Sequence, residues 1–233
     1  MTKDISLWSY LEFIDPDEHV DAVKEALGKC PEAIKFIRNP SVDLQMHIVK
    51  MNAYNIRYID DPDERVQHVS VSVAGTSVGY IDNPTDAVKY AAIANDPHSI
   101  HYIADPDVGM QIQAVSKNGM IIRHLSNSNE KVKLAAIEND PYAIINIENP
   151  SVEMQIASIS KSDHADMISH IENLHIDAQI FAVKKNPRNI EYIKNPHPSA
   201  QIAAVEHDWY NIRHISMPCL AAQKIAVRKN PVR

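Results

Sequence analysis

The chain has 233 residues, 45% of them hydrophobic, and a formal net charge of −7. That apolar content excludes a disordered chain, and the acidic balance argues against wholesale phosphate binding, which draws on Lys and Arg. With 5 Gly against 14 Pro, the turns are expected to be set by proline. Cys30 and Cys219, far apart and without CxxC or metal-ligand spacing, read as free thiols of a reducing compartment.

The N-terminus, Met1 to Trp8, lacks the apolar run of a signal peptide, and no later stretch approaches the roughly 18 apolar residues of a membrane span. The expected setting is the cytoplasm, a host cytoplasm if the source is a phage, with no membrane partner. Charge is uneven: residues 1–116 carry 9 Lys+Arg against 18 Asp+Glu, whereas 117–233 carry 14 against 12.

Further along, the chain repeats itself. Aligned on an Ile or Leu followed, in most units, by x-[ND]-P, units begin at Ile37, Ile59, Ile81, Ile103, Leu125, Ile147, Ile171, Ile193 and Ile215. They are spaced by 22 residues, except for 24 between Ile147 and Ile171. A looser unit starts at Ile14, and Leu11-Glu12-Phe13-Ile14 resembles the close of a still earlier one.

Each unit contains two helix starts. At the first, Asn39-Pro40, Asp61-Pro62, Asn83-Pro84, Asp105-Pro106, Asn149-Pro150 and Asn195-Pro196 read as an N-cap followed by proline at the first helical position. A helix of about ten residues is expected to follow. At the second, Asp96-Pro97, Asp140-Pro141, Asn186-Pro187 and Asn230-Pro231, with Asn118-Gly119 as a variant, open an element of one or two turns, short enough for a 3₁₀ helix.

The expected fold is therefore all-α, a right-handed α-solenoid of about ten short two-helix repeats. Residues 1–233 form one elongated domain in this reading, with 1–36 a degenerate cap, 37–214 regular and 215–233 a C-terminal cap. Positions eight (Leu44 to Ala222), twelve (largely Ala) and thirteen (Val49 to Val227) are the expected core.

Two polar ladders run through the repeat. Position nine holds Gln45, Gln67, Lys89, Gln111, Lys133, Gln155, Gln179, Gln201 and Gln223. A recognition code is one reading, but at 100° per residue these side chains fall between two buried positions, which favours amides serving orphan backbone groups. Position twenty-two holds Phe13, Phe36, Tyr58, Tyr80, Tyr102, His124, Asn146, His170, Tyr192 and His214; beside it position twenty-one holds Lys35, Arg57, His101, Arg123 and Arg213. The Ile of position twenty and the Ile opening the next unit both pack inward, which turns position twenty-two outward. Rings interleaved with cations are a natural grip for a partner, although rings that merely stiffen the array give the same pattern.

Other features carry less. Between Lys184 and Arg233 nine cations face three acids, which fits phosphate attraction or a solvated end. Asp15-Pro16-Asp17, Asp61-Pro62-Asp63 and Asp105-Pro106-Asp107 read as caps with a first-turn acid. Residues 160–166 form the two-residue insertion, a loop or a contact point, while Ala74-Gly75-Thr76-Ser77 replaces a capped turn and is expected to loosen the array. No catalytic motif, metal cluster or cofactor signature occurs, and no enzyme activity, metal or cofactor is expected.

At Gln111-Ile112-Gln113-Ala114-Val115-Ser116-Lys117-Asn118-Gly119-Met120-Ile121-Ile122-Arg123, continued by Val132 to Pro141, the chain resembles short helical repeats of bacterial and viral proteins whose units carry A-V-x-x-N-G. It is also similar to the leucine-rich repeat variant, a solenoid alternating α and 3₁₀ helices. The likeness covers two units well and the others loosely, since N-P turns replace N-G. It implies a fold more than a function.

The leading expectation is a non-catalytic module that engages a protein partner through Tyr58, Tyr80, Tyr102, His124, His170, Tyr192 and His214 with Arg57, His101, Arg123 and Arg213. A small phage or bacterial inhibitor of a larger complex fits that description. The alternative is nucleic-acid binding through the same stripe and the basic C-terminal end.

Overall fold

The computed structural model describes residues 19–230. Every described repeat holds an α-helix of ten residues, and nine of them a 3₁₀ helix of six after it. The chain divides into two compact units, residues 1–114 and 115–233. In the first lie α1 (Val20–Lys29), η1 (Pro31–Phe36), α2 (Val42–Met51), η2 (Ala53–Tyr58), α3 (Glu64–Val73), η3 (Gly75–Tyr80), α4 (Asp86–Asn95) and η4 (Pro97–Tyr102). Helix α5 (Val108–Lys117) carries the division. The second unit holds η5 (Gly119–His124), α6 (Glu130–Asn139), η6 (Pro141–Asn146), α7 (Val152–Lys161), η7 (Ala165–His170), α8 (Ile176–Lys185), η8 (Pro187–Tyr192), α9 (Pro198–His207), η9 (Trp209–His214) and α10 (Leu220–Lys229). Within each unit successive α-helices pack side by side, an α-solenoid arrangement, and no strand occurs among the described residues. A ten-residue helix is marginal alone, so the stacking is what holds each one.

The core follows the expected ladders. Leu44, Val66, Val88, Val132, Ala178 and Ala200 at position eight are buried, as are Ala92, Ala114, Ala136, Ala182 and Ala204 at position twelve. Position thirteen is buried from Val49 to Val205, but Val227 is 57% exposed, because no described helix packs on the far side of α10.

The first helix start departs from expectation. The Asn or Asp before proline is not the N-cap: Asn39, Asp61, Asn83, Asp105, Asn149 and Asn195 adopt left-handed backbone, with φ between 46° and 53°. Asn and Asp are the non-glycine residues that visit this region most readily. Proline follows as a spacer, and the cap comes after it. Asp63 accepts from Arg65 N–H, Thr85 from Val88 N–H, Asp107 from Met110 N–H and Ser151 from Met154 N–H. The Asp-Pro-Asp triplets thus pair a left-handed residue with a cap; Asp15-Pro16-Asp17 lies outside the described residues, as do Leu11 to Ile14. The second start is as expected. Asp96, Asp140, Asn186 and Asn118 cap their 3₁₀ helices, and Asn52 and Asp208 use the same device without proline. Asn230 ends α10, and Pro231 falls outside the description.

Five glutamines of the ladder, Gln45, Gln67, Gln155, Gln179 and Gln201, are buried, whereas Gln111 is half-buried and Gln223 exposed. Gln201 Nε2 donates to the Pro196 carbonyl at 2.8 Å, and its Oε1 accepts from the Cys219 N–H of the following repeat at 2.7 Å. Gln45, Gln155 and Gln179 make the same two-sided staple. Gln179 reaches the carbonyl of Leu174, which stands where all but one of the other repeats have proline; the bond needs only the carbonyl.

A second set of staples secures the junction between the two helices of a repeat. Where the 3₁₀ helix opens on proline there is no N–H to satisfy. Where it opens on glycine, an asparagine one repeat later takes the N–H. Gly75 donates to Asn95 and Gly119 to Asn139, and these asparagines in turn donate to the Ser72 and Ser116 carbonyls. A Cβ on Gly75 would lie 2.5 Å from the Ala92 carbonyl oxygen and 2.5 Å from Ser99 Oγ. The Ala74–Ser77 segment therefore tightens the packing where loosening was expected. The insertion is tied down too: Lys185 Nζ donates to the Ile159, Ser160 and Ser162 carbonyls at 2.8, 2.9 and 2.8 Å.

Candidate functional site

With valine, isoleucine and alanine consumed by the core, the outward face of the 3₁₀ helices carries the side chains left over. Ile56, Val78 and Ile100 point inward and are buried, so position twenty-two, two residues on, points out. Tyr80 is 49% and Tyr102 58% exposed, Tyr58 is half-buried, and Arg57 and His101 are exposed.

In the first unit these residues converge. Arg57 Cζ lies 4.9 Å from the Tyr58 ring centroid and 5.8 Å from that of Tyr80, so one guanidinium bridges the rings of two successive repeats. Arg57 also donates to Tyr58 Oη at 3.1 Å, and Lys35 Nζ lies 6.0 Å from the centroid of that ring. Tyr54, a residue the repeat pattern did not flag, meets Tyr80 edge to face at 5.9 Å and hydrogen-bonds Thr76 Oγ1 at 2.7 Å. Its position, eighteen, also holds His98, Tyr142 and Tyr210; that recurrence was visible in the sequence.

Between these rings lies a cavity of about 390 Å³ lined by Asn52, Tyr54, Arg57, Thr76, Tyr80 and Tyr102. It exists because η3 is built of small residues. Gly79 stands where neighbouring repeats carry Arg57 and His101, and the Tyr102 ring fills the vacated space: a Cβ on Gly79 would fall 2.9 Å from Tyr102 Cδ1. Thr76 stands where Tyr54 and His98 stand in the repeats on either side. The stretch that broke the sequence pattern is the floor of a cleft.

No family model, curated protein or solved structure matches the chain. The cleft is therefore interpreted from its own chemistry.

In the second unit the same positions split into separate pairs. Arg123 Nε and His124 Nε2 lie 2.7 Å apart, both side chains exposed. His170 packs against Tyr142 at 6.5 Å, and Tyr142 donates to Asp166 at 3.4 Å; desolvation and then the nearby Asp166 charge raise the Tyr142 pKa. Arg213 lies over the Tyr210 ring at 4.7 Å and bonds its hydroxyl, with Trp209 edge-on to that ring at 5.6 Å. Half-buried His214 sits 3.4 Å from Glu191, and Tyr192 lines a separate gap with Ser169, Glu172 and Lys194. His170 borders another gap, about 610 Å³, between successive linkers, with Gln155 among its lining residues. Phe13 lies outside the described residues.

The basic C-terminal cations are partly spoken for. Lys185 is tied to three carbonyls, Lys229 bonds the Glu206 carbonyl, and Arg213 is on Tyr210. Arg233 is not among the described residues. No three His, Cys, Asp or Glu side chains gather as a metal site, and no helix is long and apolar enough to cross a membrane, in both cases among the described residues.

Proposed function

We propose that this chain is a non-catalytic binding module that holds a protein partner on the ring-bearing face of its 3₁₀ helices, centred on the cleft over η3. The observation that carries this reading is the convergence of exposed Tyr54, Tyr80 and Tyr102 with Arg57 around one cavity. Tyrosine and arginine dominate binding hot spots, because a rigid ring offers large contact area with little side-chain entropy to lose. Here the rings are already braced by cation–π and edge-to-face contacts, which lowers that cost further. The repeat alternates α and 3₁₀ helices, a stacked arrangement that presents outward side chains of successive units side by side.

Nucleic-acid binding is the weaker reading. It needs free cations beside the rings, yet residues 1–114 carry 9 Lys+Arg against 18 Asp+Glu.

The test compares the wild-type chain with one in which Tyr58, Tyr80 and Tyr102 are all Ala, both used as bait in a native host lysate. Loss of a captured protein with an unchanged circular-dichroism spectrum supports the proposal. Unchanged capture refutes it. Retention on heparin or DNA at low salt that the triple variant loses would transfer the site to nucleic acid.

A further inference from the structure

Arg57 is a cation without a counterion in a unit that has acids to spare. Residues 1–114 carry 18 Asp+Glu against 9 Lys+Arg, and other cations there find a carboxylate: Lys29 lies 2.7 Å from Glu25, Arg65 2.8 Å from Asp63 and Lys89 2.9 Å from Asp86. Arg57 pairs with no carboxylate among the described residues; its contacts are the Tyr58 and Tyr80 rings and the Tyr58 hydroxyl. Rings attract a guanidinium through their quadrupole but carry no net charge. The charge of Arg57 therefore stays uncompensated.

The cleft supplies donors and no competing acid. None of its lining residues is a carboxylate. One N–H of the Arg57 guanidinium is spent on Tyr58 Oη, and the rest of the fork has no acceptor among the described residues. The Tyr80 and Tyr102 hydroxyls, which line the same cavity, are likewise without a hydrogen-bond partner there. Position twenty-one of this unit holds Lys35, Arg57, Gly79 and His101, so no acid is built into the column on which Arg57 stands.

Anions differ in charge and shape. A carboxylate brings one charge and two oxygens that match the guanidinium fork. A phosphate monoester brings nearly two charges and is met in phosphopeptide sites by clusters of arginine. Here one guanidinium lines the cavity, while the unit as a whole has twice as many acids as cations. That field opposes dianions, acidic runs and nucleic acid alike. A single carboxylate gains the local contact and adds least to the repulsion.

We infer that the cleft over η3 recognises one Asp or Glu side chain of the partner protein, set among neutral or basic residues, with Arg57 as its ion-pair partner and the Tyr80 and Tyr102 hydroxyls as further donors. This rests on the reading of the cleft as a protein-binding site. The rings that hold Arg57 act before the partner arrives: with the fork already braced, less side-chain entropy is left to lose on binding.

The experiment selects a displayed random dodecapeptide library on the full chain and counter-selects on Arg57→Gln, which removes the charge and keeps a polar side chain. Peptides specific to the wild-type chain should share one Asp or Glu and lack acidic runs. In a synthetic copy, changing that acid to its amide should weaken binding about tenfold on the wild-type chain, the loss of one charge-assisted contact, and less than about twofold on Arg57→Gln. On Arg57→Glu the preference should invert, with Lys in place of the acid binding more tightly. Thermal melts check that both variants fold; should either melt early, the acid-to-amide change read on the wild-type chain decides alone. Selected peptides without a shared acid, an equal loss on wild type and Arg57→Gln, or no enrichment over the variant overturns the inference. So does binding tightened by about tenfold or more when phosphoserine replaces the acid, which would mark a phosphate site. Lysate capture separates this inference from the broader reading. Capture lost in the triple tyrosine variant but kept in Arg57→Glu leaves a protein-binding face that reads no acid, and capture kept in both sinks both.

Discussion

Replacing Gln201 by Met removes both ends of one interrepeat staple while keeping volume and helix propensity nearly constant. The half-buried Pro196 carbonyl and Cys219 N–H each lose a partner. An unsatisfied buried backbone group costs about 1–3 kcal/mol, so two half-buried ones should together cost the variant about 1–3 kcal/mol. Gln223 supplies the control within the same unit: it makes the same bond to the Pro218 carbonyl at 2.7 Å, but it is exposed. Water can replace that bond, and Gln223→Met should cost no more than about 1 kcal/mol. Urea titrations followed at 222 nm would read the two differences, with matching m-values as the condition for comparing them. Equal losses in the two variants, or a Gln201→Met loss under about 0.5 kcal/mol, would refute the staple as a source of stability.

Three further outcomes follow from the same geometry. Lys185→Met strips three carbonyls at the end of α7 of their donor and, as the side chain is exposed and water can replace part of these bonds, should destabilise by about 1 kcal/mol, whereas Lys184→Met, equally exposed but donating to none of these carbonyls, should be neutral in the same melt. Gly119→Ala sets a Cβ 2.5 Å from the Ala136 carbonyl oxygen and should cost about 1–3 kcal/mol, while Gly28→Ala, whose nearest neighbour is Met51 Cε at 3.9 Å, should stabilise α1 by up to about 1 kcal/mol. The Asp63 carboxyl is lowered to about 2, first by the Arg65 side chain and then by its backbone N–H. A depressed acid contributes fully above its ordinary value of 3.8 and loses that contribution as pH falls toward 2, so acid titrations of wild type and Asp63→Asn should diverge above that window and converge within it.

The periodicity of apolar residues made the repeat and its core legible, because burial at positions eight, twelve and thirteen demands aliphatic side chains in every unit. Inward placement of the glutamines followed from helix geometry alone, though their partners did not: the Cys219 N–H is reached only once the next repeat is stacked. The misplaced caps have a local cause. Asn39-Pro40 suits both an N-cap with proline after it and a left-handed residue with a spacer, and only Ser41, Asp63, Thr85 and Asp107, the cap-type residues after the proline, separate the two. Tyr54 was less legible because its position is aromatic in only some repeats and it meets Tyr80 only once the repeats are stacked. The cleft itself was invisible for a different reason: Gly79 and Thr76 matter through what they fail to fill, and a missing side chain leaves no periodic trace.

The staples are not spread evenly. From α7 to α10 the second unit has three complete ones in succession, at Gln155, Gln179 and Gln201. The first has one, at Gln45; Gln67 keeps its bond to Pro62 but its buried Oε1 is unpaired, and Lys89 turns to Asp86. The tyrosine cleft thus sits beside seams with fewer complete glutamine staples, which the Gly75–Asn95–Ser72 bonds hold instead. An occupant spanning Tyr58 to Tyr102 would add a further clamp there, slowing deuterium exchange of the α3 and α4 amides as it binds.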